Sequence, residues 1–186
     1  MVLTQGSALI VAARNLMRSP NYFEALLGVA IVTGRRMIEL AKTGSFEQTS
    51  CTYAVLFHGQ AKKKYAEFGA DTPYVIPVLA PTSDVIQCVE RIRQLRCFDD
   101  IDNDDVHRRI GVQANCAAKK LFSNKSLLEL HAVPTFHNAR MIYGHLTFYK
   151  FNHSMSINLW LKTVLGHDGL ETSLNYSSCS VNAEGY

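Results

Sequence analysis

The sequence predicts a mainly α (α+β) protein: a helical body beside a small three-stranded antiparallel sheet. Three observations carry this. Apolar residues recur at helical spacing along most of the chain, and each run is closed by Gly, Pro or a capping side chain. Two short β-prone runs, 52–58 and 74–79, interrupt that pattern with a basic polar loop between them. The chain has 186 residues and is 47% apolar, enough to build one core, so 1–186 is expected to be a single domain.

The first helix is expected over residues 1–19, where Leu3, Ala8, Val11, Ala12 and Leu16 recur before Ser19-Pro20 breaks the run. Asn21 to about Val32 is apolar nearly all round, the mark of a buried helix. After the Thr33-Gly34 break a third helix starts near Arg35 and carries Met37, Ile38, Leu40 and Ala41 to Gly44. The runs 52–58 and Tyr74–Leu79 read as a β-hairpin with Lys62, Lys63 and Lys64 at its tip, and one further short strand would complete the sheet.

Thr82-Ser83-Asp84 is expected to cap a helix running to about Cys97. Its core stripe is Ile86, Val89, Ile92 and Leu95, with Arg91, Arg93 and Arg96 mostly off it. Residues 99–105 form an acidic loop that lacks the mid-loop glycine and bidentate glutamate of a calcium site, so a solvated loop is expected. Val106 to Phe122 reads as a helix with a basic side: Arg108, Arg109, Lys119 and Lys120. Pro134-Thr135 opens an aromatic-rich helix, Phe136 to about Phe151. Ser154 or Ser156 caps the next, which ends at Leu165 with Gly166 as its stop. A last short helix carries Tyr176, and a polar tail follows.

The net charge of +3 permits nucleic-acid binding without requiring it. Five cysteines, odd in number and without a C-x-x-C pair, argue for free thiols in a reducing compartment, and against a disulfide framework or a zinc site. Cys51, Cys88, Cys97 and Cys116 are expected to be buried; Cys179 has no evident base partner. His58, His107, His131, His145 and His153 match no common metal spacing and are expected to be structural or surface groups, and Trp160 to be core. No apolar run approaches the ~18 residues of a bilayer span, and no signal-peptide pattern opens the chain. A cytoplasmic protein with no membrane association is expected.

Near the C-terminus, His167 stands at a glycine turn and Tyr176 follows nine residues on. A phenol is a poor nucleophile at neutral pH unless its proton is taken and the opposing phosphate charge is neutralised. Breaking a phosphodiester with it also requires clamped nonbridging oxygens, best served by guanidinium groups, and a proton for the leaving oxygen. The chain offers Arg35 and Arg36 after the Thr-Gly break, Lys62 to Lys64 at the hairpin tip, and His137 and Arg140 three apart on one helix face. Each has a plain reading taken singly. Arg36 can pair with Glu39, the lysine run can be a solvated turn, His137 can be structural, and Tyr176 can be a packing residue. Their order along the chain argues for a site.

This constellation resembles the tyrosine recombinase superfamily of DNA strand-transfer enzymes, from roughly Leu26 to Tyr176. Thr33-Gly34-Arg35-Arg36-Met37-Ile38-Glu39-Leu40 is similar to its T-G-x-R-x-x-E-L box, His137-Asn138-Ala139-Arg140 to its H-x-x-R box, and Leu165-Gly166-His167 with Tyr176 to its last box. The protelomerase, or telomere resolvase, branch resembles it most, through the double arginine, Gly44-Ser45-Phe46-Glu47, Phe57-His58-Gly59-Gln60-Ala61-Lys62 and Leu165-Gly166-His167-Asp168. His137 is the departure, being an integrase-like residue where resolvases often place Tyr or Lys. Only about 30 residues precede the first box, so a separate N-terminal DNA-binding domain is expected to be absent.

The resemblance implies a catalytic set of Arg36, Lys62, His137, Arg140, His167 and the nucleophile Tyr176. Lys62 would be the general acid, with Lys63 and Lys64 as alternatives. Further DNA contacts are expected from Arg35, Lys63, Lys64, Lys119 and Lys120. The partner implied is double-stranded DNA with an inverted-repeat site, bound by a homodimer, or by a tetramer if the reaction is recombination. One ester replaces another at each step, so neither cofactor nor metal is implied. An integrase-like recombinase and a non-catalytic DNA-binding module on the same fold are the competing expectations.

Overall fold

Helix α2 (Tyr22–Thr33) is the element on which the others pack. Asn21 starts it, its Oδ1 accepting from the N–H groups of Phe23 and Glu24, which would otherwise be orphaned at a helix N-terminus. Ala25 to Val32 are then buried on every side, as the unbroken apolar run requires. Each buried Leu, Ile or Val here contributes about 1.5–3 kcal/mol relative to exposure. Helix α1 (Gly6–Met17) packs its Leu9, Ile10, Ala13 and Met17 face against α2.

The computed structural model describes residues 2–3, 5–61, 72–129, 133–151, 154–166 and 180–181. The expectations placed on Lys62, Lys63, Lys64, His131, His153, His167, Tyr176 and Cys179, and on the last short helix, lie outside the described residues.

The expected hairpin is β3 (Ala54–His58) with β4 (Tyr74–Pro77), and its third strand is β2 (Ser45–Gln48). The order is β2-β3-β4, all antiparallel, with Phe46 opposite Phe57 and Val55 opposite Ile76. Val55 and Phe57 alternate inward and are fully buried, as a half-buried strand demands. A second sheet, β5-β1-β6, was not expected. Its strands are two residues each: β1 (Val2–Leu3), β5 (Leu128–Glu129) and β6 (Ser180–Val181). Val2 and Leu3 therefore belong to a strand and not to the first helix, and 180–181 pair in parallel with β1 inside the expected polar tail. Two residues carry no period, so only the meeting of distant segments reveals such strands.

The third helix is short and ends in a π turn, Glu39–Thr43, closed by Gly44 N–H to Glu39 O at 2.7 Å. A π turn misaligns carbonyls, and Arg93 collects them: its Nε donates to Leu40 O, and its Nη2 to Glu39 O and Gly44 O. Helix α3 (Thr82–Leu95) supplies Arg93. Its buried stripe is Val85, Cys88, Val89 and Ile92; Leu95, expected in the stripe, is 53% exposed because α3 ends there. The expected Thr-Ser-Asp cap is absent. Pro81 takes the cap position, and Thr82 Oγ1 turns to the Thr52 and Ala54 carbonyls.

Helix α4 (Asn103–Phe122) begins inside the expected acidic loop, because Asp102 accepts from Asp104 N–H and the aspartates suit the positive helix end. Cys88 is buried as expected, but Cys51, Cys97 and Cys116 are exposed, since they fall on loop or outward helix positions. Helices α5 (Asn138–Phe151) and α6 (Ile157–Leu165) pack on each other, with Trp160 donating to Thr147 Oγ1 at 3.1 Å. Ser156 caps α6 by accepting from Leu159 N–H. No described helix is long and apolar enough to cross a membrane.

Candidate active site

The first box ends α2. Gly34 takes the left-handed conformation, φ 66°, which glycine alone adopts without strain. A side chain there would meet the Tyr143 ring at 2.1 Å, so the same glycine lets α5 close on the end of α2. Beyond this turn the two arginines part. Arg35 is 1% exposed, donating from Nε to Thr33 O, from Nη1 to the Tyr74 hydroxyl and from Nη2 to Val164 O, with Phe57 stacked at 4.8 Å. The expectation of a DNA contact from Arg35 is corrected: its guanidinium is a structural tie in the core. Arg36 stays partly exposed and donates from Nη1 to Glu39 Oε1 at 2.7 Å.

Glu39, a member of the first box and a pairing partner for Arg36, is fully buried. It also accepts from the backbone N–H groups of Arg36 and Ala61, at 2.9 and 3.2 Å. Burial opposes its ionisation, but the charges of Arg35, Arg140 and Arg36 and the Arg36 N–H outweigh that and hold its carboxyl below the usual range. The plain reading of Arg36 as a Glu39 partner and its reading as a site residue therefore both hold geometrically: the carboxylate orients the guanidinium that lines the cleft.

The second box is set by two asparagines. Asn115 of α4 accepts from Phe136 N–H at 2.8 Å, and Asn138 accepts from Thr135 N–H at 2.6 Å, fixing the start of α5. His137 is exposed there, and Arg140, one turn on, is 2% exposed. Arg140 donates from Nη1 to Gly34 O at 2.6 Å and from Nη2 to Leu165 O at 2.5 Å, tying the end of α2 to the end of α6.

Arg36, His137 and Arg140 line one cleft of about 610 Å³. His107 and Asn115 of α4 line it too, so His107, expected to be a structural or surface group, belongs to the cleft. The signal was available: His107, Gly111, Asn115 and Lys119 recur every four residues, so they share one face of α4. Lys119 is exposed one turn beyond the cleft lining, whereas Lys120 turns to Glu24 at 3.0 Å. His145 is buried and is not among the cleft-lining residues. Among the described residues no group of three His, Cys, Asp or Glu could hold a metal ion.

The third box is approached from α6. Gly166 ends that helix with φ 64°. The last carbonyls are all engaged by side chains: Val164 O by Arg35, Leu165 O by Arg140 and Gly166 O by Gln60. Three segments far apart in sequence thus meet at residues 164–166, just before His167 in the chain. Chemically, the cleft offers fixed cations and imidazoles to a phosphodiester.

Residues 2–178 match the family of the telomere resolvase ResT/TelK catalytic domain. No curated protein sequence matches the chain. Among solved structures, a protelomerase TelA variant covalently complexed with substrate DNA superposes with a TM-score of 0.88 at 22% identity, covering 99% of this chain and 61% of that one. A TelA variant complexed with DNA hairpin product gives 0.86 at 21%, covering 98% and 61%. Protelomerase TelK complexed with substrate DNA gives 0.72 at 21%, covering 97% and 38%. The likeness establishes the fold, and the chain spans about three fifths of the TelA proteins' length.

Proposed function

The chain belongs to the telomere resolvase ResT/TelK catalytic-domain family, and on that premise we propose that it breaks and rejoins DNA to form covalently closed hairpin ends. The observation that carries this reading is the convergence of Arg36, His137 and Arg140, from two distant boxes, on one cleft. In the proposed reaction the Tyr176 oxygen attacks a DNA phosphorus. The P–O5′ bond breaks, giving a 3′-phosphotyrosyl bond and a 5′-hydroxyl, with Lys62 supplying the proton to the leaving oxygen. Arg36 stabilises the charge of the pentacoordinate phosphate, as preorganised donors do elsewhere, and Arg140, buried and donating to Gly34 O and Leu165 O, joins it by releasing one of those carbonyls to the phosphate. His167 orients the phosphate, and His137 assists as a proton acceptor or phosphate ligand. A 5′-hydroxyl of the opposite strand then attacks phosphorus and releases the tyrosine.

Double-stranded DNA with an inverted-repeat site is the proposed substrate, bound by a homodimer. Lys63, Lys64 and Lys119 are the proposed outer contacts, with Lys119 supported by its place along the cleft-facing stripe of α4. Lys120 is less suited, since its ammonium is already paired with Glu24.

The test is incubation with a library of palindromic duplexes, read on denaturing gels beside Tyr176→Phe. Products that snap back after denaturation, absent with Tyr176→Phe, are the expected result. Exchanged strands would replace this reading with integrase-like recombination. Binding with no adduct would favour a non-catalytic DNA-binding module.

A further inference from the structure

The strand end leading to the lysine run is held at each of three consecutive residues. Gly59 O accepts from Thr43 Oγ1 at 3.1 Å. Ala61 N–H donates to Glu39, the carboxylate that orients Arg36. Between them Gln60, 8% exposed, donates from Nε2 to Gly166 O at 2.6 Å and reaches Leu165 O at 3.5 Å. Its Oε1 accepts from the Tyr74 hydroxyl at 2.9 Å, and that hydroxyl accepts from Arg35 at 2.6 Å. Both faces of the amide are therefore satisfied, and its orientation is fixed by the donor on one side and the acceptor on the other.

The end of α6 does not depend on Gln60 for its place. Arg35 and Arg140 hold Val164 O and Leu165 O independently. Gly166 is shaped for the amide: a side chain there would lie 2.4 Å from Gln60 Oε1 and 2.6 Å from the Tyr74 hydroxyl. The α6 end is held by its two guanidiniums, and Gln60, two residues before Lys62 in the sequence, is tied to it.

We infer that Gln60 is a positioning residue for the proton donor to the leaving 5′ oxygen, fixing the origin of the lysine-bearing segment against the end of α6. This rests on the proposed strand-cleavage reaction. It does not depend on which of Lys62, Lys63 or Lys64 gives the proton, because all three follow the same anchor. Its functional logic is distance: a displacement of about 1 Å in a catalytic group costs on the order of 10²-fold in rate.

The experiment compares cleavage of ordinary suicide-substrate DNA with the same duplex carrying a 5′-bridging phosphorothiolate at the scissile position. In the second substrate the P–S bond breaks and the thiolate leaves without a proton. With Gln60→Leu, cleavage of ordinary DNA is expected to slow on the order of 10–100-fold, and cleavage of the phosphorothiolate to stay within about twofold of the parent protein. Equal slowing on both substrates, or no slowing on either, overturns the inference.

Tyr74→Phe keeps the ring against Phe57 but removes the hydroxyl that orients the amide. It is expected to give a smaller defect with the same rescue, and it decides the matter if Gln60→Leu fails to fold. Parent rates on both substrates would count against the inference. Failure of the underlying reaction looks different: the parent protein forms no adduct on either duplex, or the triple change Lys62→Ala, Lys63→Ala and Lys64→Ala is not rescued by sulfur.

Discussion

Arginines engage carbonyls at several helix ends among the described residues, and two of these ends, those of α1 and α6, are built differently. At the end of α1, Arg91 of α3 donates to the carbonyls of Met17 and Ser19 from a half-buried position. At the end of α6, Arg35 and Arg140 donate to Val164 O and Leu165 O from full burial, and a third donor, Gln60, takes Gly166 O. Both ends exploit the same physics: unsatisfied carbonyls and the negative end of a helix dipole attract guanidinium. The difference is the company. The α1 end borders a small cavity of about 330 Å³ that holds none of the expected site residues. The α6 end requires a buried carboxylate, Glu39, to balance its two buried cations, and that carboxylate also orients Arg36 at the cleft. A cap that only closes a helix stands alone; a cap at a site is shared among several motifs.

The sharpest way to break this contrast is Glu39→Gln. It leaves Arg35 and Arg140 buried without their counter-charge, and a broken buried pair costs about 3–5 kcal/mol. Urea unfolding should show a loss of that order, together with loss of the proposed DNA cleavage. A loss below about 1 kcal/mol would mean that the guanidinium–carbonyl bonds suffice by themselves. The pH dependence carries the same sign. The folded carboxyl of Glu39 is held below its ordinary value of 4.5, so its contribution is full above that value. It is lost as pH falls through the lower folded value. Parent protein should therefore lose stability on acidification from about pH 4.5 downward, with a flatter acid limb in Glu39→Gln.

Gly166→Ala is the next largest. The left-handed conformation costs a non-glycine residue roughly 1–2 kcal/mol, and the methyl must displace Gln60 and Tyr74, adding about 1–3 kcal/mol of overpacking. Thermal unfolding should register the sum, and Gln60→Ala in the same chain should recover part of it by opening space. At the other end of the comparison, Arg91→Ala should cost about 1.5–3 kcal/mol through its lost charged hydrogen bonds, with cleavage per folded molecule unchanged. A cleavage defect there would dissolve the distinction between the two ends. The smallest effect belongs to Lys120→Ala. Its exposed pair with Glu24 should be worth about 0–1 kcal/mol and fade with added salt in denaturant titrations.

Several elements were legible because their cause is local. The all-apolar run of α2, the Gly34 and Gly166 stops and the alternation of β3 each follow from residues within a few positions of one another. The boxes likewise fixed which arginine lies after the Thr-Gly break and which stands three past His137. Leu95, by contrast, fits the helical period and is exposed all the same, since the period cannot tell where packing stops. Cys51, Cys97 and Cys116 were expected inside on residue type alone, and their positions put them outside.

By itself the sequence determined a mainly helical chain with one small sheet, the family it belongs to, and the order of its chemistry-bearing boxes, because periodicity, stops and motif spacing are properties of neighbouring residues. Only the tertiary structure decided that the Arg35 guanidinium is tied into the core while Arg36 stays partly exposed at the cleft, that His107 joins the cleft, and that Gln60 reaches Gly166 across more than a hundred residues. Those choices depend on which distant carbonyl or carboxylate a buried polar group can reach, and a buried group must find one.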